Sequence, residues 1–208
     1  MVISKEEWNN ALINRIGKVL HNVYAKSTVA ICGLGGLGSN IANILARSGI
    51  GKLILIDYDK VDITNIHRQQ YKISQINKLK TTALKENLLE IAPYLEIEIH
   101  SVAITENNVK ELLEKADIIC EAFDKPEEKA MLVNTVMERM PNKYIVAASG
   151  MAGLNSPNSI QTRMVTKHFY ISGDGVSDIG DGIEIMASGV TLCAAHQAHT
   201  VLRILANI

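Results

Sequence analysis

Val29-Ala30-Ile31-Cys32-Gly33-Leu34-Gly35-Gly36-Leu37-Gly38-Ser39 is the stretch that decides how this chain folds. A short apolar run ends in Gly33-x-Gly35-x-x-Gly38. It passes into a segment whose apolar residues, Ile41, Ile44 and Leu45, recur at helical spacing. Strand, glycine turn and helix in succession make a phosphate cradle. Gly33 permits the tight turn, Gly35 and Gly36 bring backbone N–H groups to a phosphate, and Gly38 lets the helix lie close on the strand. The helix start presents unpaired N–H donors and a positive dipole end to an anion. Asp57 stands nineteen residues beyond Gly38, at the end of the apolar run Lys52–Ile56, placed to accept from ribose hydroxyls. The expectation is a nucleotide site.

Composition narrows the class. At 208 residues, with 47% hydrophobic and 21% charged residues, the chain has material for one sizeable core and no disordered character. A formal net charge of −1 gives no global electrostatic case for nucleic acid or for a membrane surface. Cys32, Cys120 and Cys193 lie in apolar surroundings and form no C-x-x-C pair, which reads as reduced thiols in a cytoplasmic protein without a zinc site. The first residues lack the apolar core of a secretory signal, and no apolar run reaches the roughly 18 residues of a membrane helix. Residues 1–208 read as one domain: a helical segment (1–25), a nucleotide-binding core (26–150), and a C-terminal part (151–208) of antiparallel strands, flexible loop and closing helix.

Helical periodicity predicts a helix over Lys5–Tyr24, opened by a Ser4–Glu7 capping box, and further helices over Gly35–Ser48, Leu79–Leu95, Glu106–Lys115, Lys125–Met140 and Ala187–Ile208. Strands are expected over Thr28–Cys32, Lys52–Ile56, Glu96–His100, Ala116–Cys120 and Tyr144–Ala148. Ser159–Val165 and Lys167–Ser172 read as two further strands, antiparallel at the sheet edge, followed by a glycine- and aspartate-rich loop over Gly173–Gly182. The fold class is α/β: a Rossmann-like, three-layer arrangement around a mostly parallel sheet. His196 and His199 are three apart with no third ligand nearby, so they read as packed or surface histidines.

The stretch after the second strand departs from a plain dinucleotide fold. A long polar excursion carries Arg68, Lys72, Lys78 and Lys80, and long ordered loops in compact domains tend to be functional. Gly33-Leu-Gly-Gly-Leu-Gly-Ser39, Asp57-x-Asp59-x-Val61-Asp-x-x-Asn65-x-x-Arg68-Gln69, Lys80 and Asp124 together resemble the ubiquitin-activating-enzyme-like adenylyltransferases, the ThiF/MoeB/HesA family. Ala147-Ala-Ser-Gly-Met-Ala-Gly153 and Ala194-Ala-His-Gln-Ala198 fit its short ThiF-like branch.

The resemblance implies an enzyme that uses ATP and Mg²⁺ to adenylate the C-terminal glycine of a small, ThiS-like ubiquitin-fold sulfur carrier ending in Gly-Gly. Pyrophosphate is released, and the short branch points to thiamine biosynthesis. It implies that Arg68 and Lys80 clamp the triphosphate, Asp57 binds the ribose, Asn65 assists near ribose or phosphates, and Gly36 lies at the nucleotide. Asp59 and Gln69 belong to the same binding motif. Asp124 matches the Mg²⁺-holding aspartate. Arg15 matches an N-terminal arginine that reaches the γ-phosphate of a neighbouring subunit, which makes a homodimer part of the expectation. The plainer alternatives are a turn cap for Asp57, an N-cap for Asp124, a surface ion pair for Arg68 and a solvated helix start for Lys80. The zinc-binding C-x-x-C pairs of longer relatives are absent, and Gly173–Ser188 holds no cysteine for a thiol relay. Cys193 reads as structural. Rivals are an NAD-dependent oxidoreductase, which leaves Asn65, Arg68, Gln69 and Lys80 unexplained, an adenylating dehydratase acting on modified tRNA, and a nucleotide-binding scaffold.

Overall fold

The computed structural model describes residues 3–177 and 184–208. Ser4 and Glu7 form the predicted capping box: the Glu7 N–H donates to Ser4 Oγ at 3.2 Å and the Ser4 N–H donates to Glu7 Oε2 at 2.7 Å. The helix they open does not run through to Tyr24. It stops as α1 (Lys5–Ile16) and restarts as α2 (Lys18–Tyr24), because Gly17 sits at φ +84°, outside helical space. The apolar period that spanned both was partly accidental, since Val19 is exposed.

Seven strands follow: β1 (Thr28–Cys32), β2 (Lys52–Ile56), β3 (Glu96–His100), β4 (Ile118–Glu121), β5 (Tyr144–Ala148), β6 (Gln161–Thr166) and β7 (Phe169–Gly173). The helices between and after them are α3 (Gly36–Arg47), α4 (Lys80–Ile91), α5 (Val109–Leu113), α6 (Pro126–Arg139) and α7 (Ala187–Leu205). Two predicted helices are shorter than their apolar pattern. Ala92 leaves helical space (φ −130°, ψ 81°) because Pro93 disfavours it in the residue before, and this ends α4. Asn108 receives the Thr105 N–H and donates to the Ala103 carbonyl, which holds that segment as a turn and delays α5 to Val109. Of the expected Gly173–Gly182 loop, residues 178–182 lie outside the described residues.

The sheet order is β3-β2-β1-β4-β5-β7-β6. All neighbours run parallel except the edge strand β6, which pairs antiparallel with β7 (Gln161 opposite Gly173), so the α/β class with antiparallel pairing near the C-terminus is what the sequence predicts. Alternation along β1 divides the core. Val29 and Ile31 pack with Ile41, Leu45 and Val201 on the α3/α7 side. Ala30 and Cys32 pack with Leu113, Leu132 and Val136 on the α5/α6 side. Fully burying each large apolar side chain contributes about 1.5–3 kcal/mol. Among the described residues, no helix is long and apolar enough to cross a membrane.

This order fixes where a ligand binds. The chain leaves β1 towards β2 and β3 on one side and returns to β4 and β5 on the other. The carboxyl ends of β1 and β4 therefore flank the point where the winding reverses, and open α/β sheets hold ligands in that crevice.

Candidate functional site

A cleft of about 500 Å³ opens at that reversal. Its floor is the glycine turn. Gly33 at φ +91° turns the chain out of β1. An added Cβ on Gly38 would stand 1.8 Å from the Gly33 carbonyl oxygen, so α3 touches the turn backbone itself and tolerates no side chain there. Gly35 caps α3 without a side-chain hydrogen bond. The first-turn N–H groups, beginning at Gly36, are thus left for an anion. Gly33, Gly35 and Gly36 line the cleft; Gly38 lies beneath it, making the close approach possible.

Asp57, just past β2, is buried and braces this turn. Its Oδ2 accepts from the Leu34 N–H at 2.6 Å and its Oδ1 from the Asp59 N–H at 2.7 Å. The turn-cap reading is therefore correct as far as it goes, and the carboxylate keeps further lone pairs towards the cleft it lines. Burial raises the Asp57 carboxyl above the ordinary carboxylate range, while Lys80 pulls it back down.

The polar excursion folds over the cleft in two single 3-10 turns, Ile63–Asn65 and Ile73–Gln75. Asp62 caps the first by accepting from the Thr64 N–H at 2.8 Å. That turn sets Asn65 under Arg68, whose Nη2 donates to Asn65 Oδ1 at 2.8 Å. The Arg68 guanidinium makes no ion pair within 4.0 Å among the described residues, so it is not a surface salt bridge. Burial lowers its pKa from the ordinary arginine value, and the charge of Asp124 works against that. Gln69 is buried beside Gly35, with no hydrogen-bond partner for its Oε1 among the described residues.

Lys80 opens α4, yet it is 6% exposed rather than solvated. Its Nζ lies 2.8 Å from Asp59 Oδ2 and 3.9 Å from Asp57 Oδ2. The backbone makes this possible: the Lys80 N–H donates to the Asp59 carbonyl at 2.9 Å, tying the start of α4 to the end of β2. Asp124 lies in the turn after β4 and lines the cleft from the opposite side, exposed. It is not the N-cap of α6. Lys125 occupies that position, and no side chain caps the helix.

Ten of the predicted residues thus line one cleft: Asp57, Asp59, Asn65, Arg68, Gln69, Lys80 and Asp124, above a floor of Gly33, Gly35 and Gly36. Arg15 does not join them. It is exposed in the last turn of α1 and lines no part of the cleft. Cys193 is buried in α7, its Sγ donating to the Ser172 carbonyl at 3.5 Å, and burial pushes its thiol up to about 12. Among the described residues no cluster of three or more His, Cys, Asp or Glu is placed to hold a metal ion.

Three contributions escaped the sequence. Tyr71, buried, donates to the Leu34 carbonyl at 2.7 Å and pins the glycine turn to the excursion. Asn40 of α3 donates to the Gly36 and Arg68 carbonyls at 2.7 and 3.1 Å. Ser149–Ala152, after β5, forms the far wall with Val176 and Ser177. These are long-range contacts; the Asn40 position, four beyond Gly36 on a helix, carried a local signal, and residues 149–152 lay within a motif that fitted the family without revealing that it walls the cleft.

Fold and cleft together define an α/β protein with a glycine-floored cleft at the reversal of its sheet. The chain belongs to the ThiF family, whose family description matches residues 9–208. Ubiquitin-like modifier-activating enzyme 5 of Caenorhabditis briggsae is 32% identical over 168 residues, 81% of this chain and 35% of the relative. A tRNA threonylcarbamoyladenosine dehydratase of Bacillus subtilis is 32% identical over 154 residues, 73% of this chain and 60% of the relative. The chain therefore spans between about a third and three fifths of the length of these relatives. Among solved structures, the E. coli tRNA N6-threonylcarbamoyladenosine dehydratase in complex with ATP superposes with a TM-score of 0.88. The match covers 100% of this chain and 98% of that one at 20% identity, a likeness of fold.

Proposed function

We propose that this chain is an ATP-dependent adenylyltransferase that activates a carboxylate as its acyl-adenylate and releases pyrophosphate. The observation that carries the reading is the convergence of Arg68 and Lys80 on one cleft above the uncapped N-terminus of α3. Attack of a carboxylate on the α-phosphorus brings two anions together, and the departing pyrophosphate gathers further charge. What the protein contributes is fixed positive charge and alignment. The Arg68 fork, held by Asn65, presents two N–H groups to phosphate oxygens, and Lys80 acts as a point charge already steered over the cleft by Asp57 and Asp59. Asp57 accepts from the ribose hydroxyls with its remaining lone pairs.

The charge at the cleft floor bears on the metal. Four carboxylates, Asp57, Asp59, Asp124 and Glu128, share the cleft lining with three cations, Arg68, Lys80 and a Lys129 already paired with Glu121, so the side chains alone do not neutralise a triphosphate. Asp124 is exposed and free of any ion pair within 4.0 Å among the described residues, which suits an ion that takes one or two carboxylates and fills its other positions with phosphate oxygens and water. Asp124 would hold Mg²⁺. When bound, Mg²⁺ supplies the charge neutralisation that the side chains lack.

The reading takes 1–208 as one adenylation domain acting on the C-terminal carboxylate of a ubiquitin-fold sulfur carrier with a Gly-Gly end, and as a homodimer to which Arg15 contributes in trans. A second reading is favoured by the dehydratase likeness, which extends over nearly the whole E. coli fold. The threonyl part of that substrate bears a carboxylate, and the same cleft would activate it. ATP–pyrophosphate exchange separates the two. Exchange stimulated by a diglycine-ended carrier supports the first reading, exchange stimulated by threonylcarbamoyladenosine-bearing tRNA supports the second, and neither would remove the activity. The short-branch resemblance suggests thiamine as the product of the pathway; thiamine-independent growth of a deletion strain would remove that assignment.

A further inference from the structure

Glu121, the last residue of β4, is 1% exposed and takes no part in the steps above. Its carboxylate joins the turn after β4 to the start of α6. Oε1 accepts from the Phe123 N–H at 2.7 Å and so braces the turn that carries Asp124. Both oxygens accept from Nζ of Lys129, in the first turn of α6, at 2.9 Å. From α7, Gln197 donates to the Glu121 and Val146 carbonyls at 3.0 and 3.1 Å, which ties the ends of β4 and β5 together. The turn before α6 and the start of α6 therefore meet at the Glu121 side chain, while its backbone carbonyl is held with that of β5 by α7. The two walls of the cleft, Phe123 and Asp124 on one side and the Ser149 loop on the other, leave from the neighbouring ends of β4 and β5. A pair this buried is weak evidence for a stabilising role, since apolar replacements of buried ion pairs are often neutral. What its arrangement does is fix the backbone of the turn that carries Asp124.

We propose that Glu121, held by Lys129, is a positioning residue that fixes the Asp124 carboxylate to receive the divalent cation arriving with ATP. The proposal rests on the ATP–metal part of the reading above and needs no knowledge of the carboxylate substrate. The test is calorimetry of ATP binding to the full chain, once with Mn²⁺ and once with EDTA, and it reads the affinity gain the metal confers. In the neutral double variant Glu121→Gln/Lys129→Met that gain falls about 10–100-fold, the range for removing partners that orient a metal ligand. Metal-free ATP affinity stays at the wild-type value, which a merely structural defect would not allow. Lys129→Arg keeps the ion pair and restores the gain. Should the double variant not fold, Glu121→Asp, which draws the carboxylate back by one methylene, shows the same selective loss. A wild-type metal gain in the folded double variant, or in Glu121→Asp, overturns the proposal, as does an equal loss of metal-free binding. Absence of exchange with every carboxylate tested would count against the adenylation reading alone, because the Mn²⁺ measurement stands without it.

Discussion

Lys80→Met removes the one cation within 4.0 Å of Asp57 among the described residues and keeps most of the side chain's apolar length. The cost follows from what remains. Asp57 is buried with both oxygens on backbone N–H groups, and the variant leaves it there without its counter-ion. Breaking a buried pair by removing one partner costs about 3–5 kcal/mol. Here Asp59 is half exposed and rehydrates, and the Lys80–Asp57 separation is 3.9 Å, so the low end of that range, about 3 kcal/mol, applies. In a chain of this size that is about 6–12 °C in Tm. The pH dependence has a definite sign. Burial already raises the Asp57 pKa in the folded chain, so stability falls as pH rises from the unfolded carboxylate value through the folded one. Without Lys80 the folded value rises further and that window widens upwards. The Tm deficit of Lys80→Met is thus largest at neutral pH and shrinks in acid, where Asp57 is protonated in both states. Paired melts of wild type and variant from neutral pH into acid measure it. A deficit independent of pH, or none, refutes the claim that Lys80 neutralises Asp57.

Other outcomes follow from the same geometry. Arg68→Ala lowers substrate-dependent pyrophosphate exchange by the ~10²–10³-fold typical of one lost transition-state donor, with the melt little changed; exchange at the wild-type rate would remove Arg68 from the clamp. Gly38→Ala forces a Cβ into the Gly33 carbonyl, so it costs at least the ~1–3 kcal/mol of an overpacked core and weakens ATP binding, as a melt and a nucleotide titration will read. The three cysteines are buried, with Cys120 and Cys193 pushed up to about 12, so the native protein reacts with a thiol reagent at mildly alkaline pH far more slowly than the unfolded chain. Equal rates would contradict their structural role.

Much of this was legible because it is local. Apolar runs bounded by turn residues marked four of the parallel strands and the alternation of Ile97 and Ile99 marked β3, and β1, β2, β3 and β5 begin and end where the pattern does. The cleft was legible for a related reason. Asp57, Asn65, Arg68 and Lys80 sit in one continuous excursion whose turns carry their own Asx cap, so sequence spacing already brought them together. What failed was either a conformational exception inside a good period or a contact across the fold. Gly17 split a helix whose apolar spacing ran on undisturbed. Glu121 and Lys129 lie on different elements across a strand–helix turn, so no single period links them, and Gln197 reaches the Glu121 carbonyl from 76 residues away. Arg15 was selected by resemblance alone, and the fold of one chain leaves it away from the cleft.

The central claim is that this cleft joins a carboxylate to the α-phosphorus of ATP. The measurement is the mass of the AMP formed when a diglycine-ended carrier, labelled with ¹⁸O in its terminal carboxylate, is incubated with the chain, ATP, Mg²⁺ and a sulfur nucleophile. Attack by the carboxylate, followed by loss of AMP from the acyl carbon, leaves one labelled oxygen on the AMP phosphate, and the same holds for a labelled threonyl carboxylate on tRNA. Unlabelled AMP from both substrates would contradict the account.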